Sequence, residues 1–364
     1  MEARALGVFA MRMKWAPIHQ LCNRCYRSLN KAGVLRGALQ TTMASRRTCS
    51  SDNSLKPADP SLNGSRLTGR SLMLVKGRDA QDLLQGLMTN DVQQLNGGEG
   101  QEVIYSMFLN KQGRVLYDVM CYQWSKDPDG DTQSYLLECD SAISQELHKH
   151  LKLYRIRKKV DITSLDSEYH VWSIFSPGPT PPPSPGSNKS SPSHFFTDPR
   201  VDGLGQRVIA PQGSQVPGIE EVNEEDYMTH RYQWSVAEGV NELPPGECLP
   251  LESNLALMNG VSFTKGCYLG QELTARTHHT GVIRKRVMPI QLAGNAIPTI
   301  PAGTSIKTAE GKNVGKFRCH LHHNGLALLR TALIGNKLKV TTEDGAEVDL
   351  EARRPSWWPQ ETHK

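Results

Sequence analysis

The chain has 364 residues and a formal net charge of +5, with 42 Lys and Arg against 37 Asp and Glu. The basic excess lies in residues 1–50, where nine Lys and Arg stand against a single acid, Glu2, so that the remainder carries −3. The net charge therefore does not indicate a general nucleic-acid-binding surface. A membrane-spanning helix is excluded, because no apolar run approaches the required length of about 20 residues.

The N-terminal segment is typical of a mitochondrial transit peptide, because arginines are scattered among leucines and serines with almost no acid. We predict a transit peptide over residues 1–48, a matrix location, and processing near the arginines of "ASRRTCSS". The CxxC pair Cys22 and Cys25 falls inside this segment and is interpreted as incidental. Residues 49–66, which are polar and rich in Ser, Asn and Pro, are predicted to be a disordered lead.

An α+β domain is predicted over residues 67–281. "SLMLV" predicts a strand, and the following residues predict a helix because Ala80, Leu83, Leu84 and Leu87 share one face. "EVIYSMFLNKQGRVLYDVMCYQW" predicts a β-hairpin with its turn at 110–113. A helix is predicted from about Ser141, and its end, 152–159, is strongly basic.

The proline-rich residues 176–200 are predicted to be a flexible insertion within this domain. A helix is predicted near 224–238. Beyond residue 281 the pattern changes to short alternating strands separated by Gly, Asn and Asp, which predicts a small β-barrel over residues 282–354 followed by a tail, 355–364.

The segment "KGCYLGQE" holds a lone cysteine, Cys267, between two glycines. "GVSFT" before it predicts a strand and "QELTAR" after it predicts a helix, which would place the thiol where helix N–H groups and the Lys265 charge favour a thiolate. The alternative is that Cys267 packs as a small apolar residue in a turn. A Cys–His nucleophile with His278 or His279 is a weaker possibility.

An iron–sulfur cluster needs about four ligands, which are usually cysteines. No other cysteine is spaced to help Cys267, so a cluster held there must be shared with a second protein. A zinc site built from histidines lacks regular ligand spacing. This zinc site would use five histidines: His278, His279, His320, His322 and His323.

Several segments resemble, in order, the YgfZ branch of the folate-binding aminomethyltransferase-like superfamily. "KGCYLGQE" is the most specific of them, and the set spans most of residues 70–286. The others are "GRDAQDLLQGLMTNDV", "FLNKQGRVLYDV", "YRIRKKV", "PLESNLALMNGVSFT" and "AR…TGVIRKR".

The resemblance implies an aminomethyltransferase-like fold with three modules in a ring and tetrahydrofolate as a ligand. Glu252 matches the pterin-binding glutamate, and a carboxylate can accept two N–H donors from the pterin edge. Asn110 and Asp118 match the strand that faces folate, and Arg284 and Arg286 are candidates for the folate carboxylates. Each of these has a plainer interpretation as a capping or exposed polar residue.

The sequence also departs from the aminomethyltransferase pattern, because Tyr117 stands where those enzymes have the first of two acids. Enzymatic acid–base chemistry is therefore doubtful, and a folate-dependent one-carbon transferase is the alternative rather than the leading function. Lys265, Tyr268, Gly270 and Glu272 keep the related motif, whereas Cys267 is an addition to it. Gly266 and Gln271 complete the segment.

Mitochondrial members of the branch are iron–sulfur cluster assembly factors. The resemblance therefore implies a late role in [4Fe-4S] maturation, with a [2Fe-2S] cluster shared between Cys267 and an A-type carrier protein. The implied clients are aconitase, lipoyl synthase and radical-SAM enzymes.

Overall fold

The computed structural model describes residues 62–96, 101–126, 133–177, 192–335 and 337–359. The predicted transit peptide and most of the predicted lead lie outside these residues. Within them we find sixteen strands and four α-helices, and none of the helices is long and apolar enough to cross a membrane. The mixed content agrees with the predicted α+β class.

Ten strands form two open sheets: β1 (Leu62–Arg66), β2 (Arg70–Gly77), β3 (Val103–Leu109), β4 (Val115–Lys126), β5 (Gln133–Asp140), β6 (Asp161–Ser164), β7 (Tyr169–Phe175), β8 (His194–Thr197), β9 (Gln206–Pro211) and β10 (Ile219–Glu221). Six more close a barrel: β11 (Lys285–Leu292), β12 (Ser305–Thr308), β13 (Asn313–Leu321), β14 (Asn324–Arg330), β15 (Leu338–Thr341) and β16 (Glu347–Ala352). The helices are α1 (Ala80–Gln85), α2 (Ser144–Tyr154), α3 (Glu224–Gln233) and α4 (Gln271–Thr280).

The first open sheet has the order β3-β4-β5-β2-β6, and β3 and β4 form the predicted hairpin. Every residue of β3 is buried. Because side chains alternate along a strand, Ile104 and Phe108 pack with helices α1 and α2, whereas Tyr105 and Met107 join a second core on the opposite face. This sheet therefore lies between two hydrophobic cores.

The second open sheet has the order β10-β1-β7-β9-β8 and corrects two sequence-based predictions. The end of the predicted disordered lead, 62–66, is strand β1, which pairs with β7 and β10. Residues 178–191 of the predicted insertion lie outside the described residues. However, its last part is ordered, because the aromatic run "HFFT" forms β8 against β9, and Asp198 and Arg200 are buried.

The predicted barrel is confirmed as a closed sheet of six strands with its own apolar core. The predicted tail is packed as far as the structure describes it: Trp358 lies in the barrel core, and Trp357 Nε1 donates to Trp234 O at 2.8 Å. Burial of the large Trp358 side chain explains why these residues are ordered. Helix α3 ends earlier than predicted, since Ser235 has a φ of 59°.

Candidate functional site

The segment before Cys267 is not the strand that the sequence predicted. Its backbone instead bonds locally and to a neighbouring loop. Ser262 N donates to Thr89 O at 3.1 Å, and Ser262 Oγ accepts from Lys265 N at 3.2 Å. Such side-chain-to-backbone bonds compete with strand pairing. The helix after Cys267 is confirmed as α4, so the thiol lies in an irregular turn that leads into a helix.

Lys265 holds this turn against helix α1. Its Nζ donates to three backbone carbonyls, Gln85 O at 2.9 Å, Met88 O at 2.7 Å and Asn90 O at 2.7 Å. Burial lowers the pKa of Lys265 to about 8, with attraction to Asp91 opposing the shift. The structure therefore gives Lys265 an anchoring role that the sequence did not predict, because its ammonium group is bonded to carbonyls at the end of α1 and in the residues that follow.

The other residues of the motif fix the turn in complementary ways. Tyr268 is buried and its backbone N–H donates to Gln271 Oε1 at 3.2 Å, whereas Glu272 is exposed in the first turn of α4. Gly270 has a φ of 79°, and a Cβ there would lie 2.3 Å from Asn110 O. Glycine is therefore required at 270 by both backbone conformation and space. At Gly266 an added Cβ would meet nothing within 4 Å.

Cys267 differs from the other four cysteines of the described residues, because it is exposed and they are not. Burial raises the pKa of Cys121 and Cys248, and it raises the pKa of Cys139 to about 12 and that of Cys319 to about 12. A thiolate is the form that binds metal. Accessibility therefore favours Cys267 over the others as a ligand, and the alternative that it packs as a small apolar residue is wrong.

No group of three or more His, Cys, Asp or Glu side chains that could hold a metal ion is found in the part of the chain that the structure describes. The ring of His278 stacks on Phe263 with centroids 3.5 Å apart, and His279 contacts both rings edge-on. Both histidines of α4 therefore belong to an aromatic cluster with Phe263. Any cluster bound through Cys267 needs ligands from elsewhere.

The structure brings two of the predicted folate residues together at one cavity. Glu252 and Arg284 line a space of about 440 Å³, with apolar walls that include Leu251 and Leu273 and further cations at Lys285 and Arg330. Burial raises the pKa of Glu252, and attraction to Lys285 opposes the shift. Leu273 and Thr274 of α4 also line this cavity, so it adjoins the helix that follows Cys267.

The other three predicted folate residues make different contacts. Asn110 Oδ1 accepts from Gln112 N and Arg114 N, both at 3.0 Å, and so closes the β3–β4 turn. Arg286 donates to Leu251 O at 3.1 Å and lies over the ring of Trp358. Neither lines the cavity of Glu252.

Asp118 belongs to a buried ion cluster that sequence reasoning missed. Glu238 is at its centre and accepts from Arg200 Nη1 at 2.6 Å and from Arg207 Nη2 at 2.5 Å. Asp118 Oδ1 accepts from Gly239 N at 3.0 Å, and its Oδ2 lies 3.9 Å from Arg70 Nη1. We define the buried ion cluster as Arg70, Asp118, Glu138, Asp198, Arg200, Arg207, Arg231, Glu238 and Glu242.

The charges of the buried ion cluster balance if one acid is protonated, since four arginines face five carboxyl groups. Burial raises the pKa of Asp118 despite the attraction of Arg70. For Glu238, burial alone would raise the pKa, but attraction to Arg207, Arg70 and Arg200 lowers it well below its usual value. Burial and the attraction of the arginines therefore shift the pKa values of Asp118 and Glu238 in opposite directions within one cluster.

Comparison with known proteins agrees with this architecture. Residues 69–180 match the family described as the GCVT N-terminal domain, and residues 284–360 match the CAF17 C-terminal beta-barrel domain. The chain is also similar to the glycine cleavage system aminomethyltransferase T of Bartonella henselae, with a TM-score of 0.62 at 14% identity over 84% of this chain and 88% of that one. This likeness confirms the predicted aminomethyltransferase fold.

Closer relatives carry the family assignment. The chain is 44% identical to the human protein named iron–sulfur cluster assembly factor IBA57, mitochondrial, over 81% of this chain and 85% of that protein. It is equally similar to the mouse protein of that name, and 34% identical to the Mycosarcoma maydis homologue over 80% of this chain and 84% of the relative. The names agree with the predicted mitochondrial location. The chain therefore belongs to the family of the mitochondrial iron–sulfur cluster assembly factor IBA57.

Proposed function

We propose that this protein assembles iron–sulfur clusters late in [4Fe-4S] maturation by contributing Cys267 as one ligand to a [2Fe-2S] cluster brought by an A-type carrier. The observation that supports the proposal is the exposed thiol of Cys267 on a turn that Lys265 and Gly270 hold in place. The cluster is cargo, and the carrier supplies the remaining ligands.

The turn suits this task because it holds the thiol without enclosing it. Lys265 and the Leu269 N–H bond to Gly86 O at 3.0 Å anchor the turn to α1 and the residue that follows it. The space beside Gly266 is open, so a partner can approach the sulfur. A ligand that is already in place loses little conformational entropy when a partner protein binds.

The test is anaerobic mixing of the protein with an A-type carrier loaded with [2Fe-2S], followed by size-exclusion chromatography with absorbance detection. We expect a heterocomplex that carries the cluster chromophore. The Cys267→Ser variant should remain folded but form no such complex, because serine lacks the soft sulfur donor that iron prefers.

Cys319→Ser is the matched control, since Cys319 is the half-buried cysteine of the described set. It should form the complex as the native protein does.

A second test uses cells in which the Cys267→Ser variant replaces the native protein. Aconitase, lipoyl synthase and radical-SAM enzymes should lose activity there, while [2Fe-2S] enzymes keep theirs. A full cluster complex with Cys267→Ser, or loss with Cys319→Ser, would overturn the ligand assignment.

We also propose that the cavity lined by Glu252 and Arg284 binds reduced folate without consuming it. The residues present fit this ligand: a half-buried carboxylate can accept the pterin N–H donors, apolar walls can contact the ring, and cations can pair with the glutamyl carboxylates. The residues that would hold it are Glu252 and Arg284, with Lys285 and Arg330 as the further cations.

Calorimetry with tetrahydrofolate tests this second proposal. Glu252→Gln keeps the size of the side chain but removes its charge, and we expect at least a tenfold loss of affinity. Arg286→Gln is the control, because Arg286 does not line the cavity, and it should bind as the native protein does. Equal affinity in Glu252→Gln and the native protein would remove Glu252 from the site.

A further inference from the structure

The segment "KLYRIRKK" (152–159) overlaps "YRIRKKV", one of the segments on which the family resemblance rests, and has no part in the site described above. It forms the end of α2 and the turn that follows. Among the described residues, five large apolar side chains are exposed, and three of them are Leu153, Tyr154 and Ile156. Tyr154 packs on His150 with centroids 4.9 Å apart, but Leu153 and Ile156 are 66% and 72% exposed and take no part in the cores.

The backbone presents Ile156 at the tip of a tight turn. Lys158 N donates to Arg155 O at 2.8 Å, so Ile156 and Arg157 are the two central residues of the turn. Arg157 has a φ of 60°, a conformation that favours Gly or Asn. Turn stability alone would favour neither Ile156 nor Arg157 at these positions. This indicates that the two side chains are there for a function other than making the turn.

The two exposed apolar side chains belong to a strongly basic segment. Residues 149–159 contain six Lys and Arg and no acid. Beside the turn is a cleft of about 620 Å³ lined by Arg78, Arg155, Lys158 and Lys159, with Asp161 as the acid in its lining. Nearby acids reduce the charge only in part: Asp82 Oδ2 is 3.9 Å from Lys158 Nζ, and Asp79 Oδ2 accepts from Lys159 N at 2.6 Å.

We propose that this surface, the 152–159 tip with its cationic cleft, docks the protein on an anionic phospholipid bilayer. Leu153 and Ile156 enter the boundary between head groups and acyl chains, and the cleft receives phosphodiester groups. Exposed apolar side chains close in sequence to several Lys and Arg are the composition of interfacial membrane anchors, and basic clefts bind anionic head groups. Exposed apolar side chains at a turn also fit a fluid bilayer better than they fit a polypeptide partner, because polypeptides are commonly recognised by a groove or a strand edge.

The proposal does not depend on the role of Cys267. Helix α1 joins the two regions, because Asp79 at its start bonds to Lys159 and Gln85 O at its end bonds to Lys265. Six helical residues span about 9 Å. A docked protein would therefore hold the cysteine turn close to the membrane surface.

Vesicle co-sedimentation of the mature protein, purified from mitochondria, tests the proposal. The probes are vesicles of phosphatidylcholine alone and of phosphatidylcholine with 30% cardiolipin. We expect binding to the anionic vesicles that weakens as salt is raised. The charge variant Lys152→Gln/Arg157→Asn/Lys159→Gln should lose on the order of 100-fold in affinity, since each cation near an anionic surface contributes about 1 kcal/mol.

The apolar variant Leu153→Ser/Ile156→Ser should lose at least tenfold, whereas Ile156→Trp should bind more tightly and show a blue-shifted fluorescence on binding. The charge control is Lys307→Gln/Lys312→Gln/Lys316→Gln, which changes three exposed cations of the barrel, and the apolar control is Ile297→Ser. Both controls should bind as the native protein does.

Two results would overturn the proposal. One is equal vesicle binding by the native protein and both surface variants. The other is binding to poly-glutamate, but not to vesicles, that depends on the same residues, which would assign the surface to an acidic polypeptide. Far-ultraviolet circular dichroism of each variant shows whether the fold is kept, and the gain expected for Ile156→Trp does not arise from misfolding.

Discussion

The buried ion cluster and the cysteine turn both contain charged residues, but they use them in opposite ways. In the cluster, Glu238 and its arginine partners are buried and pair with one another. In the turn, Lys265 satisfies backbone carbonyls while Cys267 remains exposed. The first arrangement leaves no group available to a partner protein, and the second leaves one.

The difference shows that a perturbed charged group is not in itself a functional one. The pKa of Glu238 is shifted strongly because it has partners throughout the fold, and such networks are a structural cause of perturbed pKa values. Cys267, by contrast, is distinguished by accessibility on a fixed backbone. Stability should therefore depend mainly on the cluster and function mainly on the turn, and the substitutions below test this division.

The largest loss of stability is expected for Glu238→Gln. Removing this charge leaves Arg200 and Arg207 buried without their shared partner, and breaking a buried ion pair in this way costs about 3–5 kcal/mol. Urea unfolding measures the change. The control, Glu347→Gln, breaks the exposed pair with Lys339 and should cost under about 1 kcal/mol.

The pH dependence of unfolding gives a second check on Glu238. Because its pKa is lowered in the folded protein, Glu238 contributes stability that is present above the unfolded pKa of about 4.5 and is lost as pH falls below it. The native free energy of unfolding should decrease through this range, and Glu238→Gln should show a smaller decrease. Equal slopes would mean that Glu238 is not the group that carries this dependence.

Lys265→Met should have the next largest effect, about 2–3 kcal/mol. The substitution keeps most of the apolar stem but leaves the carbonyls of Gln85, Met88 and Asn90 without their charged donor. Lys307→Met, at an exposed barrel position, is the control and should change stability by under about 0.5 kcal/mol. If Lys265→Met unfolds at the native urea concentration, the three bonds do not anchor the turn.

Gly270→Ala should cost about 1–2 kcal/mol, because alanine at a φ of 79° is strained and its Cβ would meet Asn110 O. Gly266→Ala, in the same turn, should change the free energy of unfolding by less than about 0.5 kcal/mol, since an added methyl group meets nothing within 4 Å there. Thermal unfolding of the two variants compares them directly. Similar melting temperatures for both would show that the turn adapts to a side chain at 270.

The smallest loss of stability, under about 1 kcal/mol, is expected for Cys267→Ser, because an exposed side chain is replaced by one of similar volume. Cys121→Ser should cost more, since it puts a hydroxyl group into an apolar core. Urea unfolding of both variants checks the order. A reversed order would place Cys267 in the packing of the turn.

The sequence pattern predicted those elements of the fold that depend on residues close together in the chain. The β3–β4 hairpin, helix α4 and the barrel strands all follow from periodicity and turn residues. The thiol's place before a helix was predicted for the same reason. The preceding strand was wrong because Ser262 bonds to its own loop, which apolar alternation does not reveal.

The buried ion cluster could not be predicted, because its members are far apart in sequence. Arg70 and Glu238 are separated by most of the domain, and each resembles an ordinary solvated charge among its sequence neighbours. The donor bonds of Lys265 were missed for a similar reason, since its acceptors lie about 180 residues earlier. The nearest signal was the pair Asp198 and Arg200, which directly follows the aromatic run of β8 and whose side chains bond to each other at 2.7 Å.

The uneven accessibility of the cysteines also makes reaction kinetics informative. In the described part of the chain, a colorimetric thiol reagent should consume one equivalent rapidly at Cys267 and react with the buried thiols only when their surroundings open. Cys121 and Cys139 belong to the core beneath α1 and α2, whereas Cys248 belongs to the core on the opposite face of the sheet. The slow phases of that reaction would therefore time the opening of two separate cores without any introduced probe.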